Sequence, residues 1–308
     1  MTRVHLDTDL GSDTDDLCAL AMLLGWPGAE LVGVTTSTDP GGIRAGWVRW
    51  SLALAGRDAI PIAAGAAATL GELFGPLAFP DYWPQPVQPL PAAPGAALEL
   101  LARSVEDGAT LVAIGPWTNL AMLEAERPGL LRDADLVVMG GHVPPPGPRL
   151  PSWGPREDWN VQQDVRAAEI VLERCDPTVV PIGPCLHTTL RDAHMDALRQ
   201  AGALGALLAD QGEAHARDNG RRELGEAYPG LPDDLVNFQY DSLACAVGLG
   251  WEGVRIEEIP IGIAIEESLL VMREDPAGHR LRVATEVDGA RFENVWLDAV
   301  VRASRGAR

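Results

Sequence analysis

The sequence predicts an α/β protein: a doubly wound, mainly parallel sheet flanked by helices, with residues 1–308 forming a single domain. Three observations predict it. Short apolar runs alternate with longer helical stretches in a βαβ rhythm. The first run ends in a dense cluster of acids that leads directly into a helix. No repeat, low-complexity tract or linker divides the chain. A chain of this length, 46% hydrophobic and 22% charged, can bury a large core.

The first strand and helix come from Val4 to Leu24. Val4 and Leu6 read as strand, Gly11-Ser12 as turn, and Leu17 to Leu24 as helix. Ala29 to Thr36 is a second strand, followed by a helix over Ile43–Ala55 and a third strand at Ile60–Gly65. A proline-rich excursion fills residues 68 to 95. Its aromatic run, Phe79-Pro80-Asp81-Tyr82-Trp83-Pro84, either covers a site or packs the loop down. A helix over Gly95–Glu106 leads to the strand Thr110–Ile114, the turn Gly115-Pro116-Trp117-Thr118-Asn119 and another helix. Asp135–Met139 is a buried strand closed by Gly140-Gly141. A second excursion spans His142 to Arg156, and Glu157–Asp164 opens the helix Val165–Glu173. A strand over Thr178–Gly183, helices over 190–202 and 203–218, and a mixed segment Arg221–Asp234 follow. Leu235–Leu249 reads as one helix, residues 253–285 as two or three strands, and Glu293–Ser304 as a last helix. The excursions after 68 and 142 and the helices near 215–240 are expected to close over a site.

Composition narrows the function. A formal charge of −20 argues against nucleic acid or an anionic membrane as partner, because both need basic patches. The chain has no lysine, which excludes a Walker-type phosphate loop and a Schiff-base lysine. Cys18, Cys175, Cys185 and Cys245 are dispersed without a CxxC pair, so they read as buried reduced thiols. With no secretory pattern and no apolar run of membrane-spanning length, a soluble cytoplasmic protein is expected.

The acids carry the chemistry. Asp7, Asp9, Asp13, Asp15 and Asp16 crowd the carboxyl end of the first strand, where ligands bind in open α/β sheets. One or two of them, with Ser12 or Asp13 foremost, serve as a helix cap. The whole set repels itself unless a cation joins it, and hard oxygen donors suit Ca²⁺ or Mg²⁺.

These residues resemble the inosine-uridine-preferring nucleoside hydrolase family. Asp7-Thr8-Asp9 and Asp15-Asp16, followed by Leu17-Cys18-Ala19-Leu20, match its opening motif, with a longer turn at Gly11-Ser12-Asp13-Thr14. Val34-Thr35-Thr36 and Gly115-Pro116-Trp117-Thr118-Asn119 are similar to its second strand and Gly-Pro-Leu-Thr-Asn turn. Val138-Met139-Gly140-Gly141 with Asp158-Trp159-Asn160 to Asp164, then Tyr240-Asp241-Ser242-Leu243-Ala244, complete five ordered motifs across residues 4 to 300.

The resemblance implies a Ca²⁺-dependent N-ribosyl hydrolase that releases ribose and free base from a ribonucleoside or related ribosyl compound. It implies Ca²⁺ on Asp9, Asp16, Asp241 and the carbonyl of Ile114, with Asp9 as general base toward a water. Asp15 and Asn160 would hold the ribose, Asp158 would reach its 5′ side, and His187 would lie at the edge of the site or on the surface. The family's usual homodimer or homotetramer is implied as well. Four positions depart from the pattern. Tyr240 stands where many members have a leaving-group histidine, and Asp158 is shorter than the usual glutamate. Asp81-Tyr82-Trp83-Pro84 replaces a His-Gly-x-x-Gly loop, and Asp39 lies where an asparagine is common. The leaving base would then meet the Tyr240 phenol, or stack on Tyr82 or Trp83. Thr118 and Asn119 read as turn formers, Asp164 as a helix cap, and Trp159 as core or with its indole facing the sugar pocket. Two alternatives stand beside this reading: a ribose-binding protein that kept the metal but lost catalysis, and an aspartate-based phosphohydrolase.

Overall fold

The computed structural model describes residues 1–77, 79, 82–143 and 147–306. Pro80 and Asp81 of the aromatic run lie outside the described residues. Nine strands form one sheet in the order β10-β9-β11-β6-β5-β4-β1-β2-β3. They are β1 (Thr2–Thr8), β2 (Ala29–Thr36), β3 (Ile62–Ala64), β4 (Thr110–Ala113), β5 (Leu136–Met139), β6 (Thr178–Val180), β9 (Val254–Glu266), β10 (Leu269–Glu274) and β11 (His279–Val287). From β3 across to β11 every pairing is parallel, and the edge strands β9 and β10 add antiparallel pairs. Such a parallel centre must be covered on both faces, and its central strands β4 and β5 are almost wholly apolar. Val4 and Leu6 of β1, Leu111 and Val112 of β4, and Val138 and Val179 are all buried.

Two apolar layers do the covering. On one face lie α1 (Asp15–Gly25), α11 (Tyr240–Gly248) and α12 (Gly289–Arg305). On the other lie α3 (Ala96–Glu106), α4 (Thr118–Glu126) and α6 (Val165–Arg174). In α12, Phe292, Trp296, Ala299, Val300 and Ala303 recur at helical spacing and are buried against α1. Burying Phe292 and Trp296 contributes roughly 2–3 kcal/mol each. The Trp296 indole also donates to the Cys18 carbonyl at 3.3 Å. All four cysteines are buried free thiols. Among the described residues no helix is long and apolar enough to cross a membrane.

The structure redraws three segments. Residues expected as one helix over 235–249 are a strand, β8 (Leu235–Phe238), and then α11. β8 pairs antiparallel with the short β7 (Thr189–Arg191), and the non-helical backbone of Gln239 separates strand from helix. The strand expected over 178–183 stops at Val180, since Pro181 has no N–H to continue the ladder. The mixed segment after 221 contains a helix, α10 (Arg221–Ala227), which follows α9 (Ala203–Asp218).

Candidate active site

Strands β1, β2 and β3 run outward in one direction, and β4, β5 and β6 in the other. The chain therefore reverses between β1 and β4, and the crevice beyond their carboxyl ends is the ligand position of a doubly wound sheet. A cavity of about 690 Å³ opens there. Asp9 follows β1 and Ile114 follows β4, and both line it. The backbone approach is close: a Cβ on Gly115 would stand 2.8 Å from the Asp9 nitrogen and 2.9 Å from its Oδ1. Gly11, at φ 134°, turns the chain out of the strand, where a Cβ would stand 2.1 Å from the Trp47 ring.

The floor of the cavity is acidic. Asp15 and Asp16 open α1, and Asp241 is the second residue of α11. Carboxylate oxygens of Asp15, Asp16 and Asp241 all lie within 4.8 Å of one another, and all three residues are buried. Asp9 stands beside this trio, 3.8 Å from the Arg44 guanidinium. Arg44 is wholly buried. It donates Nε to the Thr38 carbonyl at 3.1 Å and Nη1 to the Leu10 carbonyl at 3.2 Å. Burial raises the pKa of Asp15, Asp16 and Asp241, and repulsion from neighbouring carboxylates raises each further. Burial raises Asp9 too, against the opposing pull of Arg44 and a hydrogen bond from Trp159.

Such a set needs a cation or several retained protons. All-oxygen, carboxylate-rich donors fit a hard divalent ion, and thiol or imidazole ligands are absent from the trio. A polar scaffold fixes the floor from below. Asn119 Nδ2 donates to Asp7 Oδ1 at 2.8 Å and to the Thr36 carbonyl at 2.9 Å, while its Oδ1 accepts from Ala66 N. Thr35 Oγ1 also donates to Asp7 Oδ1, at 2.5 Å, and Thr8 Oγ1 donates to Asp16. Burial pushes Asp7 up to about 7 despite these donors, and repulsion from Asp9 adds to the rise.

Asn160 and Asp158 form one side. Asn160 Nδ2 donates to the Ile114 carbonyl at 2.9 Å, tying α5 (Trp159–Gln163) to the end of β4. Asp158 caps α5 by accepting from Val161 N at 3.1 Å, and it also accepts from Gly141 N. Burial pushes its carboxyl up to about 6, while the backbone donors oppose the rise. Trp159 is 37% exposed rather than core, and it lines the cavity, the second of the two positions expected for its indole. Asp164 caps α6 as expected and also accepts from Thr118 Oγ1 and Leu70 N.

The opposite wall holds Tyr240, Tyr82, His215, Asn219 and Arg221, with Phe79 and Trp153 beside them. Burial raises the Tyr240 phenol well above its ordinary value, although Arg221 pulls the other way. Asp13 bridges to this wall. It lies 3.3 Å from His215 Nε2 and 3.9 Å from Arg221, and accepts from Asn237 Nδ2 at 2.5 Å. Burial would raise Asp13, but His215 and Arg221 together hold it below the usual carboxylate value. Asp13 also accepts from Thr14 N and, at 3.4 Å, from Asp15 N, so it keeps part of the helix-start role expected of it.

Asp9, Asp15, Asp16, Tyr82, Ile114, Asp158, Asn160, Tyr240 and Asp241 thus share one cavity. Three expected residues do not reach it. Asp39 is buried beneath α2 (Ile43–Leu54), accepting from Arg44 N, Ala45 N and Thr36 Oγ1, so its carboxylate is spent on the helix start. Trp83 is core, stacked on Trp47 with centroids 5.1 Å apart and planes 6° from parallel. His187 is exposed outside the cavity. Conversely, His215 and Arg221 line it without having been expected. Each sits among other polar residues in its helix, and only the pairing with Asp13 singles them out.

An acidic cavity at the switch point of a doubly wound sheet defines a class, and comparison with known proteins gives the family. The profile of the inosine-uridine preferring nucleoside hydrolases matches residues 4–294. The pyrimidine-specific ribonucleoside hydrolase RihA of Salmonella paratyphi B is 33% identical over 261 residues, covering 77% of this chain and 71% of its own. Two solved structures share the fold. The purine-preferring ribonucleoside hydrolase from Gardnerella vaginalis superposes with a TM-score of 0.78 at 22% identity, over 99% of both chains. The inosine-uridine preferring nucleoside hydrolase from Bacillus anthracis gives 0.67 at 19%, over 99% of this chain and 100% of its own. The chain belongs to the inosine-uridine preferring nucleoside hydrolase family. It is a hydrolase of N-glycosyl bonds, which removes the phosphohydrolase alternative.

Proposed function

We propose that this chain hydrolyses the N-glycosidic bond of ribonucleosides with Ca²⁺ bound on its acidic floor. The observation that carries the reading is the convergence of the buried Asp15, Asp16 and Asp241 carboxylates at the switch point of a family member. Asp16 and Asp241 form the centre of the ion site, with Asp9 and the Ile114 carbonyl completing it on the cavity side. The ion, when bound, supplies positive charge that orients ribose hydroxyls and makes a nearby water easier to deprotonate.

The remaining steps belong to the protein. Asp15 and Asn160 accept or donate hydrogen bonds to the ribose, and Asp158 meets its 5′ side. Asp9 takes a proton from the water whose oxygen bonds to C1′. The N-glycosidic bond breaks as its electron pair passes to the base nitrogen. Positive charge develops on the ribosyl group in the transition state, and a carboxylate-lined cavity stabilises it. Phe79, Tyr82, Trp153 and Trp159 give the cavity aromatic walls that suit a planar base. Four buried free cysteines support a reducing compartment, consistent with the cytoplasm. A homodimer or homotetramer is the assembly the family resemblance favours.

Calorimetric titration of calcium into chelator-treated protein tests the ion site. We expect saturable binding by the wild type and its loss in the Asp16→Asn, Asp241→Asn double variant. Calcium binding unchanged in that variant would refute the placement.

A further inference from the structure

Arg221 is the only arginine among the described residues that line the cavity, and it stands beside the Asp13 carboxylate. Its Nη2 lies 3.4 Å from His215 Nε2 and 3.9 Å from Asp13, and its guanidinium carbon sits 5.5 Å from the centroid of the Phe238 ring. The Phe238 ring is in turn 5.5 Å from that of Tyr240. Its Nε is buried without a hydrogen-bond partner, an unspent donor on a group that is always charged. The carboxylate that steers it belongs to the long Gly11-Ser12-Asp13-Thr14 turn, so the turn and the wall form one construction.

We propose that Arg221 is the group that meets the leaving base, with Asp13 and His215 as its positioning residues. This inference rests on the hydrolase reading above and concerns how the same cavity handles the base. As the C1′–N bond breaks, its electron pair remains on the base, which carries negative charge until it takes a proton from solvent. The guanidinium offers N–H donors to a carbonyl oxygen or ring nitrogen of that base and balances its charge without giving up a proton. Tyr240, in the same wall, adds a neutral hydrogen-bond donor. The geometry therefore favours bases whose departing form presents acceptors to a cation.

The test compares an ordinary ribonucleoside with para-nitrophenyl β-riboside, whose leaving group departs readily without help. Arg221→Met should lower kcat/KM on the ribonucleoside about a hundredfold and on the aryl riboside less than about fivefold. Asp13→Asn should give the same selective loss, smaller in size. Arg221→Lys keeps the charge without the planar fork, so it should recover part of the loss. It also serves as the second variant if Arg221→Met is poorly folded by thermal melting. Equal losses on both substrates, or no loss on either, would overturn the proposal. Failure of the wild type to cleave either compound would instead count against the hydrolase reading itself.

Discussion

The Arg44 guanidinium is buried 3.8 Å from the Asp9 carboxylate, a cation set under a floor of acids. Burial is the main force raising Asp9, and Arg44 is the main force opposing it. A base must be ionised to accept a proton, so in the proposed mechanism Arg44 extends the acidic range in which Asp9 can act. In Arg44→Met the acid limb of the kcat/KM profile should move to higher pH by about one unit. A limb that stayed in place or moved down would contradict this relation.

Asp9 itself should be indispensable. Asp9→Ala is expected to lower kcat by at least about a thousandfold while the protein still melts cooperatively. Steady-state ribose release checks this, and turnover near wild type would remove Asp9 from the role of base.

Asp7 lies beneath the floor and does not line the cavity. Burial raises it to about 7 from an ordinary value of 3.8, so the folded chain keeps a proton that the unfolded chain has lost. Stability therefore falls as pH rises between those two values, and the loss is complete above the folded one. Asp7→Asn carries no such charge. Relative to wild type, it should gain roughly 1–3 kcal/mol of stability between pH 5 and pH 8. Thermal or urea melts in a chelating buffer measure the difference at the two pH values. A gap that did not widen in favour of the variant would show that Asp7 ionises freely.

The sequence revealed the floor better than the walls, for a physical reason. Asp9, Asp15 and Asp16 lie between the end of β1 and the first turn of α1, and Ile114 directly follows a buried strand, so local pattern places them. Tyr240-Asp241 was found by motif although its helix begins later than expected, because β8 occupies the residues before it. Trp83 and Asp39 were misplaced because type and position in a loop do not reveal partners. One stacks on Trp47, and the other is consumed by the start of α2. His215 and Arg221 lie about two hundred positions from Asp13 in the chain. Their pairing depends on how α9 and α10 pack over the first turn, which no local signal carries.

The central claim is calcium-dependent release of ribose. A reducing-sugar assay over a panel of purine and pyrimidine ribonucleosides tests it most directly, run before chelation, after chelation and after calcium is restored. The account predicts ribose from at least one nucleoside, loss of the signal on chelation and its return with calcium. Ribose release that persisted in excess chelator, or a calcium-loaded protein that bound these nucleosides and released no ribose, would contradict it.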